Sequence, residues 1–358
     1  ERYTVQIYLP PSRVYDMATN NDSTLQDFLN RVSVKELVRD KREIISVSGD
    51  TSVEDTLKIL DQKGILSMPV IDKSNGKVGG IISISDIVVA VCFNPCFEES
   101  KHLDSISIPT MTQQQLETAI DRSVFKQPVS SLIGKRGEKQ LWKFDEKEDI
   151  NKIAEYFSNG LHRALITREG KKNCFLSQSD LTKHLCAALS EEKDPNILTP
   201  ITQSLATLGH IKQGRSVVSV KLSETALTGF RRLLNWRSFK DWNLASLPII
   251  DDKNGSVVGN LSESDLRGMT KDLLGTLTLP VGEYLEKLHG KKMRQAVTVT
   301  ADTTFSAALD KVVKEKVHRA WIVDAKGNPI GTFSLSDVIS QFTNFAWSHL
   351  EAFDDLFE

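Results

Sequence analysis

The pattern Ser-x-Ser-Asp occurs four times in this chain, each time between a short apolar run and an apolar stretch with helical spacing. The copies are "GIISISDIVV" (80–89), "LSQSDL" (176–181), "LSESDL" (261–266) and "GTFSLSDVIS" (331–340). Recurrence of one pattern in one local context means that a single supersecondary unit has been repeated, and this limits the possible folds more than composition does.

Extending each copy upstream exposes the rest of the unit. In the last, "AVTVTA" alternates as a strand should, and "TTFSAALDKVVKEKV" carries Phe305, Leu309, Val312 and Val313 on one helical stripe. "RAWIVD", the turn "AKGN" and "PIGTFSL" then form a hairpin, and the tetrad opens a second helix, "SDVISQFTNFAW". The first copy runs "EIISVS", "VEDTLKILDQKG", "SMPVID", "VGGIISI" and "SDIVVAV". The second runs "LWKFDE", "DINKIAEYFSNG", "HRALIT", "NCFLSQ" and "SDLTKHLCAAL". The third runs "SVVSVKL", "SETALTGFRRLLNW", "ASLPIID", "VVGNLSE" and "SDLRGMTKDLL". The fold class is therefore α/β (α+β), built from four β-α-β-β-α units. A unit this short cannot bury its own apolar faces, so the units are expected to pair.

The 358 residues suffice for such an array, and 40% hydrophobic with 26% charged residues is ordinary for a soluble globular protein. A formal net charge of −2 supplies no global field to attract nucleic acid or an anionic membrane, and no apolar run reaches the ~20 residues of a membrane span. The basic run "GKRGEK" reads as solvated loop. The chain starts at Glu1, not Met, so an N-terminal piece is expected to be missing, with a targeting sequence left open there. Cys92, Cys96, Cys174 and Cys186 fit neither a disulfide frame nor a zinc site and read as free thiols of a reducing compartment. No P-loop, Gly-x-Gly-x-x-Gly or His-Glu-x-x-His is present, and no histidine falls at metal-ligand spacing, so no catalysis is expected.

Two readings of the tetrad stand side by side. Ser and Asp at a helix start accept bonds from free backbone N–H groups and complement the dipole, which is plain capping. Alternatively, the carboxylate accepts the vicinal hydroxyls of a ribose, while the Ser three positions earlier suits a phosphate at the helix N-terminus. Two further pairs, His162-Arg163 and His318-Arg319, occupy equivalent positions just before the hairpin in repeats 2 and 4. They read either as cations complementing a helix C-terminus or as forked phosphate donors. "NWRSFKDWN" (235–243) enlarges repeat 3, and its tryptophans fill a packing gap or face a partner.

The repeated unit resembles the cystathionine-β-synthase (CBS) domain, and four copies resemble the γ regulatory subunits of AMP-activated/Snf1-type protein kinases. The resemblance implies repeats at 31–92, 122–190, 203–275 and 280–347, joined by polar, partly helical connectors and paired into two Bateman modules that form a disc. It also implies that Asp86, Asp180, Asp265 and Asp337 hold riboses, with Ser83, Ser177, Ser262 and Ser334 near phosphates. His162, Arg163, His318 and Arg319 would then converge on the phosphates of AMP, ADP or ATP. Two positions depart from those subunits: Leu66 stands where a basic residue is usual, and Asp180 is present where the Asp is usually absent. The pattern of filled and empty sites is therefore expected to differ. The implied function is a non-catalytic, adenine-nucleotide-binding, energy-sensing subunit of a kinase complex, in the cytoplasm and with the nucleus open to it. The alternative is a stand-alone quadruple-CBS regulator acting on a phosphatase or a growth or stress pathway; a purely structural platform indifferent to nucleotides is the third reading. Nucleic-acid and membrane partners are not expected.

Overall fold

The computed structural model describes residues 23–97, 112–135, 141–211, 217–235 and 244–343. The chain enters through α1 (Ser23–Asn30) and α2 (Val34–Leu37). Repeat 1 follows as β1 (Val47–Ser48), α3 (Val53–Gln62), β2 (Ser67–Ile71), β3 (Val78–Ser83) and α4 (Ile84–Cys92). A connector carries α5 (Gln113–Ile120), a π-helical turn at Asp121–Phe125 and a 3-10 turn at Val129–Leu132. Repeat 2 is β4 (Lys143–Asp145), α6 (Ile150–Ser158), β5 (Arg163–Thr167), β6 (Cys174–Ser177) and α7 (Gln178–Glu191), and α8 (Pro195–Ile201) leads on. Repeat 3 has β7 (Val220–Lys221), α9 (Ala226–Asn235), β8 (Ser246–Ile250) and β9 (Val257–Ser262). After α10 (Val281–His289), repeat 4 closes with β10 (Thr298–Thr300), α11 (Phe305–Lys314), β11 (Arg319–Val323), β12 (Pro329–Ser334) and α12 (Leu335–Ser340).

Each repeat forms one three-stranded sheet: a parallel pair completed by an antiparallel hairpin. The opening strands are shorter than their alternating sequences suggest. Each has a neighbour on one side only, and just two or three residues lie in register with the central strand.

Repeat 3 corrects the expected helix "SDLRGMTKDLL". Its tetrad opens a single 3-10 turn, Glu263–Leu266, and a separate 3-10 stretch runs Lys271–Thr278. Arg267 is already extended and Gly268 turns to φ +85°, a conformation glycine tolerates best. The Asp265 carbonyl, which a continuing helix would use, instead accepts the Tyr284 hydroxyl at 2.8 Å. The 235–243 insertion lies outside the described residues from 236 onward.

The connectors exchange places. The segment before repeat 2 packs on repeat 1: Val53 N–H donates to Gln127 O (3.0 Å) and Val129 N–H to Thr51 O (2.8 Å). In return, the segment before repeat 1 packs on repeat 2, where Asn151 Nδ2 donates to Asn30 Oδ1 at 2.5 Å. Repeats 3 and 4 repeat the exchange. Val281 N–H donates to Glu224 O (2.8 Å) and Phe305 N–H to Gln203 O (2.9 Å). Two apolar cores run across these pairs. One joins repeats 1 and 3 through residues such as Leu57, Val91, Phe230 and Leu266; the other joins repeats 2 and 4 through Phe157, Leu185, Phe305 and Ile339. Each tetrad therefore faces a partner repeat across a helix-lined interface.

Candidate functional site

All four tetrads are capping boxes. In repeat 1, Ser83 N–H and Oγ donate to Asp86 Oδ2 at 3.0 and 2.6 Å, and Asp86 N–H returns to Ser83 Oγ at 3.3 Å. Repeat 2 gives 2.9, 2.6 and 3.3 Å for Ser177 and Asp180, and repeat 4 gives 2.7, 2.6 and 3.3 Å for Ser334 and Asp337. In repeat 3, Ser262 donates to Asp265 Oδ2 at 2.7 Å from N–H and 3.0 Å from Oγ. The capping half of the sequence reading is thus a fact of the fold. It does not exclude the ligand half, because the cap engages only Oδ2 and a carboxylate has a second oxygen.

In repeats 2 and 3 that second oxygen meets a side chain from a leading segment. Lys41 Nζ forms an ion pair with Asp180 Oδ1, and His289 Nε2 lies 3.4 Å from Asp265 Oδ1. Burial pushes the Asp180 carboxyl upward, but Lys41 and the Ser177 donors outweigh it and hold the group below the ordinary carboxylate range. Asp86 and Asp337 are buried, whereas Asp180 and Asp265 are half-buried.

The two His-Arg pairs are placed by strand register. Arg163 pairs with Ser177 across the hairpin and Arg319 with Ser334, so each arginine stands directly opposite its tetrad serine. The preceding carbonyls, of His162 and His318, accept the N–H groups of Gln178 and Leu335 at 3.2 and 3.1 Å. Ser67 and Ser246 hold the arginine position in repeats 1 and 3, after Leu66 and Ala245. Positive charge is therefore confined at this position to repeats 2 and 4.

These two repeats bring their cations together. The His318 pKa lies below the usual imidazole value, lowered by the protein packed around the ring and by the cations Arg319, Arg163 and Lys183, although part of the residue remains open to solvent. Arg163 is likewise pushed down by burial, opposed by Asp180. The Arg319 guanidinium lies 5.9 Å from the Trp321 ring centre, which fixes its direction. Lys183 was not singled out in the sequence, although it sits three residues after Asp180 on α7 and so on the same helical face. Lys41 precedes the first strand of repeat 1 and gives no local signal.

Neighbouring polar pairs cross both interfaces. Gln178 Nε2 donates to Ser336 Oγ at 2.8 Å between repeats 2 and 4; the Ser85 hydroxyl donates to the Glu263 carboxylate between repeats 1 and 3. Both pairs are formed by the second and third residues of the tetrads, so these positions build the interfaces while the first and fourth build the caps.

Among the described residues, no cluster of His, Cys, Asp or Glu could hold a metal ion, and no helix is long and apolar enough to cross a membrane. Cys92, Cys96, Cys174 and Cys186 are free thiols, and burial pushes Cys92 up to about 12.

The CBS domain family model matches residues 34–92 and 287–344. The chain is 26% identical to an Arabidopsis thaliana protein named SNF1-related protein kinase regulatory subunit gamma-like PV42a, over 87% of this chain and 94% of that one. It is 22% identical to the 5'-AMP-activated protein kinase subunit gamma of Saccharomyces cerevisiae, over 88% and 91%. A 23% identity to Protein SDS23 of Candida albicans spans 86% of this chain but 50% of the relative. In fold, a Methanocaldococcus jannaschii protein described as a candidate archaeal homolog of γ-AMPK superposes with TM-score 0.60 at 18% identity, over 87% of this chain and all of that one.

Proposed function

We propose that this chain, which matches the CBS domain model in two segments, carries four sheets of one topology and is similar to γ regulatory subunits of AMP-activated/SNF1-type kinases, is a regulatory, non-catalytic adenine-nucleotide sensor serving such a kinase. The observation that carries the reading is that Arg163 and Arg319 each stand across the hairpin from the tetrad serine that caps a helix, in two repeats that share one core, with Arg163, Lys183 and Arg319 all acting on His318. A polyphosphate or monophosphate ester suits such a cluster, since guanidinium groups bind its oxygens in a forked geometry. Asp337, at the N-terminus of α12 and one cap away from the Ser334–Arg319 register pair, is the carboxylate best placed to take the ribose. A ligand that shifts the relation of repeats 2 and 4 would be read by the partner as a change in population.

Calorimetric titration of the chain with AMP, ADP and ATP tests this reading. Micromolar binding corresponds to about −8 kcal/mol. A hydrogen bond to a charged group contributes about 1.5–3 kcal/mol, so Asp337→Ala is expected to weaken binding ~10- to 100-fold. Lost capping alone would lower stability by about 1 kcal/mol and leave affinity unchanged. Asp337→Asn keeps an oxygen for the Ser334 N–H, so it separates the two effects. Absence of heat with every nucleotide would sink the reading.

The lowered His318 pKa gives a second expectation. In the ligand-free protein the ring sheds its proton below the ordinary value of about 6.5. A phosphate dianion placed among these cations favours the imidazolium and raises that pKa, so binding takes up a proton. Affinity is then expected to rise as the pH falls from 8 toward about 6.5, and titrations in buffers of different ionisation enthalpy should reveal the uptake. The sign for the ligand-free fold follows from the same shift. The unfolded chain binds more protons in this window, so stability is retained above about 6.5 and declines as the pH falls through it. His318→Gln should abolish the uptake; uptake that persists would assign it elsewhere.

A stand-alone regulator is the second reading. It draws on Leu66 and Ser67 in place of a cation in repeat 1, and on the similarity to Protein SDS23. Affinity purification of the tagged full chain discriminates: recovery of a kinase catalytic subunit favours the first reading, and recovery of a phosphatase without it favours the second.

A further inference from the structure

Lys41 lies in the leading segment of repeat 1, ahead of its first strand, yet its ammonium pairs with the second oxygen of Asp180 in repeat 2. The ion pair is not a chance meeting of two mobile side chains, because the backbone around Lys41 is held independently of it. Arg168, itself buried, donates from its guanidinium to Val38 O at 3.1 Å and to Lys41 O at 3.4 Å. Lys172 pairs with Glu43 at 2.7 Å, two residues further on. The segment before repeat 1 is thereby fixed against repeat 2, with Lys41 directed at the carboxylate.

The arrangement recurs on the other side of the molecule. The leading segment of repeat 4, α10, packs on repeat 3 through Tyr284, whose ring meets Phe230 edge-on at 5.6 Å. It ends at His289, whose Nε2 approaches Asp265 Oδ1 at 3.4 Å. In both cases an exchanged segment delivers a nitrogen side chain to the one carboxylate oxygen the helix cap leaves unused.

We propose that Lys41 is an internal occupant of the repeat 2 position: by satisfying Asp180 Oδ1 it takes the place of the ribose hydroxyls and keeps that cleft closed to nucleotides. The proposal rests on the reading of the tetrad carboxylates as ribose acceptors. On this reading Asp180 is present without its repeat serving as a site. With Oδ2 bound by Ser177 and Oδ1 by Lys41, a diol must first break an ion pair that is only partly open to water. Arg163 and Lys183 both act on His318 of repeat 4, so closing the ribose position of repeat 2 leaves these cations to the cleft shared with repeat 4.

The test is the number of AMP molecules bound per full-length chain, by equilibrium dialysis and calorimetry, in the natural protein and in Lys41→Met. The variant is expected to bind one additional AMP, and Lys41→Arg to bind no more than the natural protein. In the Lys41→Met background, Asp180→Asn should remove the extra site, and 2',3'-dideoxyAMP should not fill it. An unchanged stoichiometry in Lys41→Met overturns the proposal, as does an extra site that survives Asp180→Asn or accepts the dideoxy ligand. Lys41→Gln, which also lacks the charge, serves if melting shows that Lys41→Met does not fold. Binding sensitive to Asp337→Ala in the natural protein reports separately on the ribose reading, so the two can fail independently.

Discussion

Replacing Arg163 and Arg319 together by glutamine is expected to weaken nucleotide binding by about two to four orders of magnitude. Each arginine stands across the hairpin from a tetrad serine, and both contribute to the field that depresses the His318 pKa. A hydrogen bond to a charged group is worth about 1.5–3 kcal/mol, so two together amount to about 3–6 kcal/mol, at 1.4 kcal/mol per factor of ten. Glutamine keeps much of the length and a donor but removes the charge and the fork. The loss should come with a smaller slope of affinity against salt, because two cations no longer face the ligand. The same change at the equivalent positions of the other half cannot be made, since Ser67 and Ser246 stand there. Arg231→Gln is not a fair control, as its guanidinium donates to Cys92 O at 2.8 Å and Phe97 O at 3.2 Å inside the other core. Calorimetry that finds the Arg163→Gln/Arg319→Gln protein folded and binding within threefold of the natural chain would show that the cluster does not hold phosphate.

The second large effect is on stability. Phe305→Ala should destabilise the chain by about 3–5 kcal/mol, a substantial part of the 5–15 kcal/mol typical of folded proteins. Phe305 is fully buried at the start of α11, with Phe333 edge-on at 5.5 Å and Phe342 tilted at 6.2 Å. Truncation leaves a cavity that three surrounding elements cannot collapse together, and it removes two aromatic contacts. Phe333 is also the residue before Ser334, so the strand end carrying the repeat 4 cap loses a wall of its packing. The midpoint of thermal unfolding should fall by several degrees, up to ~10 °C. Val78→Ala, at an exposed position, should change it little. Equal shifts for the two variants would mean that the core around Phe305 is not the stabilising unit described here.

The repeats were legible because each signal was local. Apolar spacing at Phe305, Leu309 and Val312 marks a buried helix face, and the serine-aspartate tetrads mark helix starts; both follow from near-neighbour sterics and hydrogen bonding. The meeting of the two His-Arg pairs was legible only through the family resemblance, because strand register places each pair but does not say which repeats touch. What stayed hidden depends on contacts distant in sequence. Leu25, Phe28 and Leu29 form an apolar face whose partners lie in the core of repeats 2 and 4, far along the chain, and no pattern around them names these partners. Lys41 likewise reads as one more surface lysine until the exchange of segments puts it on Asp180. The break after Leu266 had a local sign in Gly268, but Tyr284, which takes the Asp265 carbonyl, belongs to another repeat's leading segment.

The exchanged segments tie repeat 1 to 2 and repeat 3 to 4, while the cores tie 1 to 3 and 2 to 4. Followed around, these ties close a loop with no first or last member, unlike a linear stack that needs terminal caps. Closure removes independence. Any rotation of repeat 4 against repeat 2 would bear, through the exchanged segments, on repeat 3 and so on the Ser85–Glu263 contact on the far side. If one cleft takes a ligand, the closed loop would spread the displacement around the whole circumference, where a partner seated at any point would sense it.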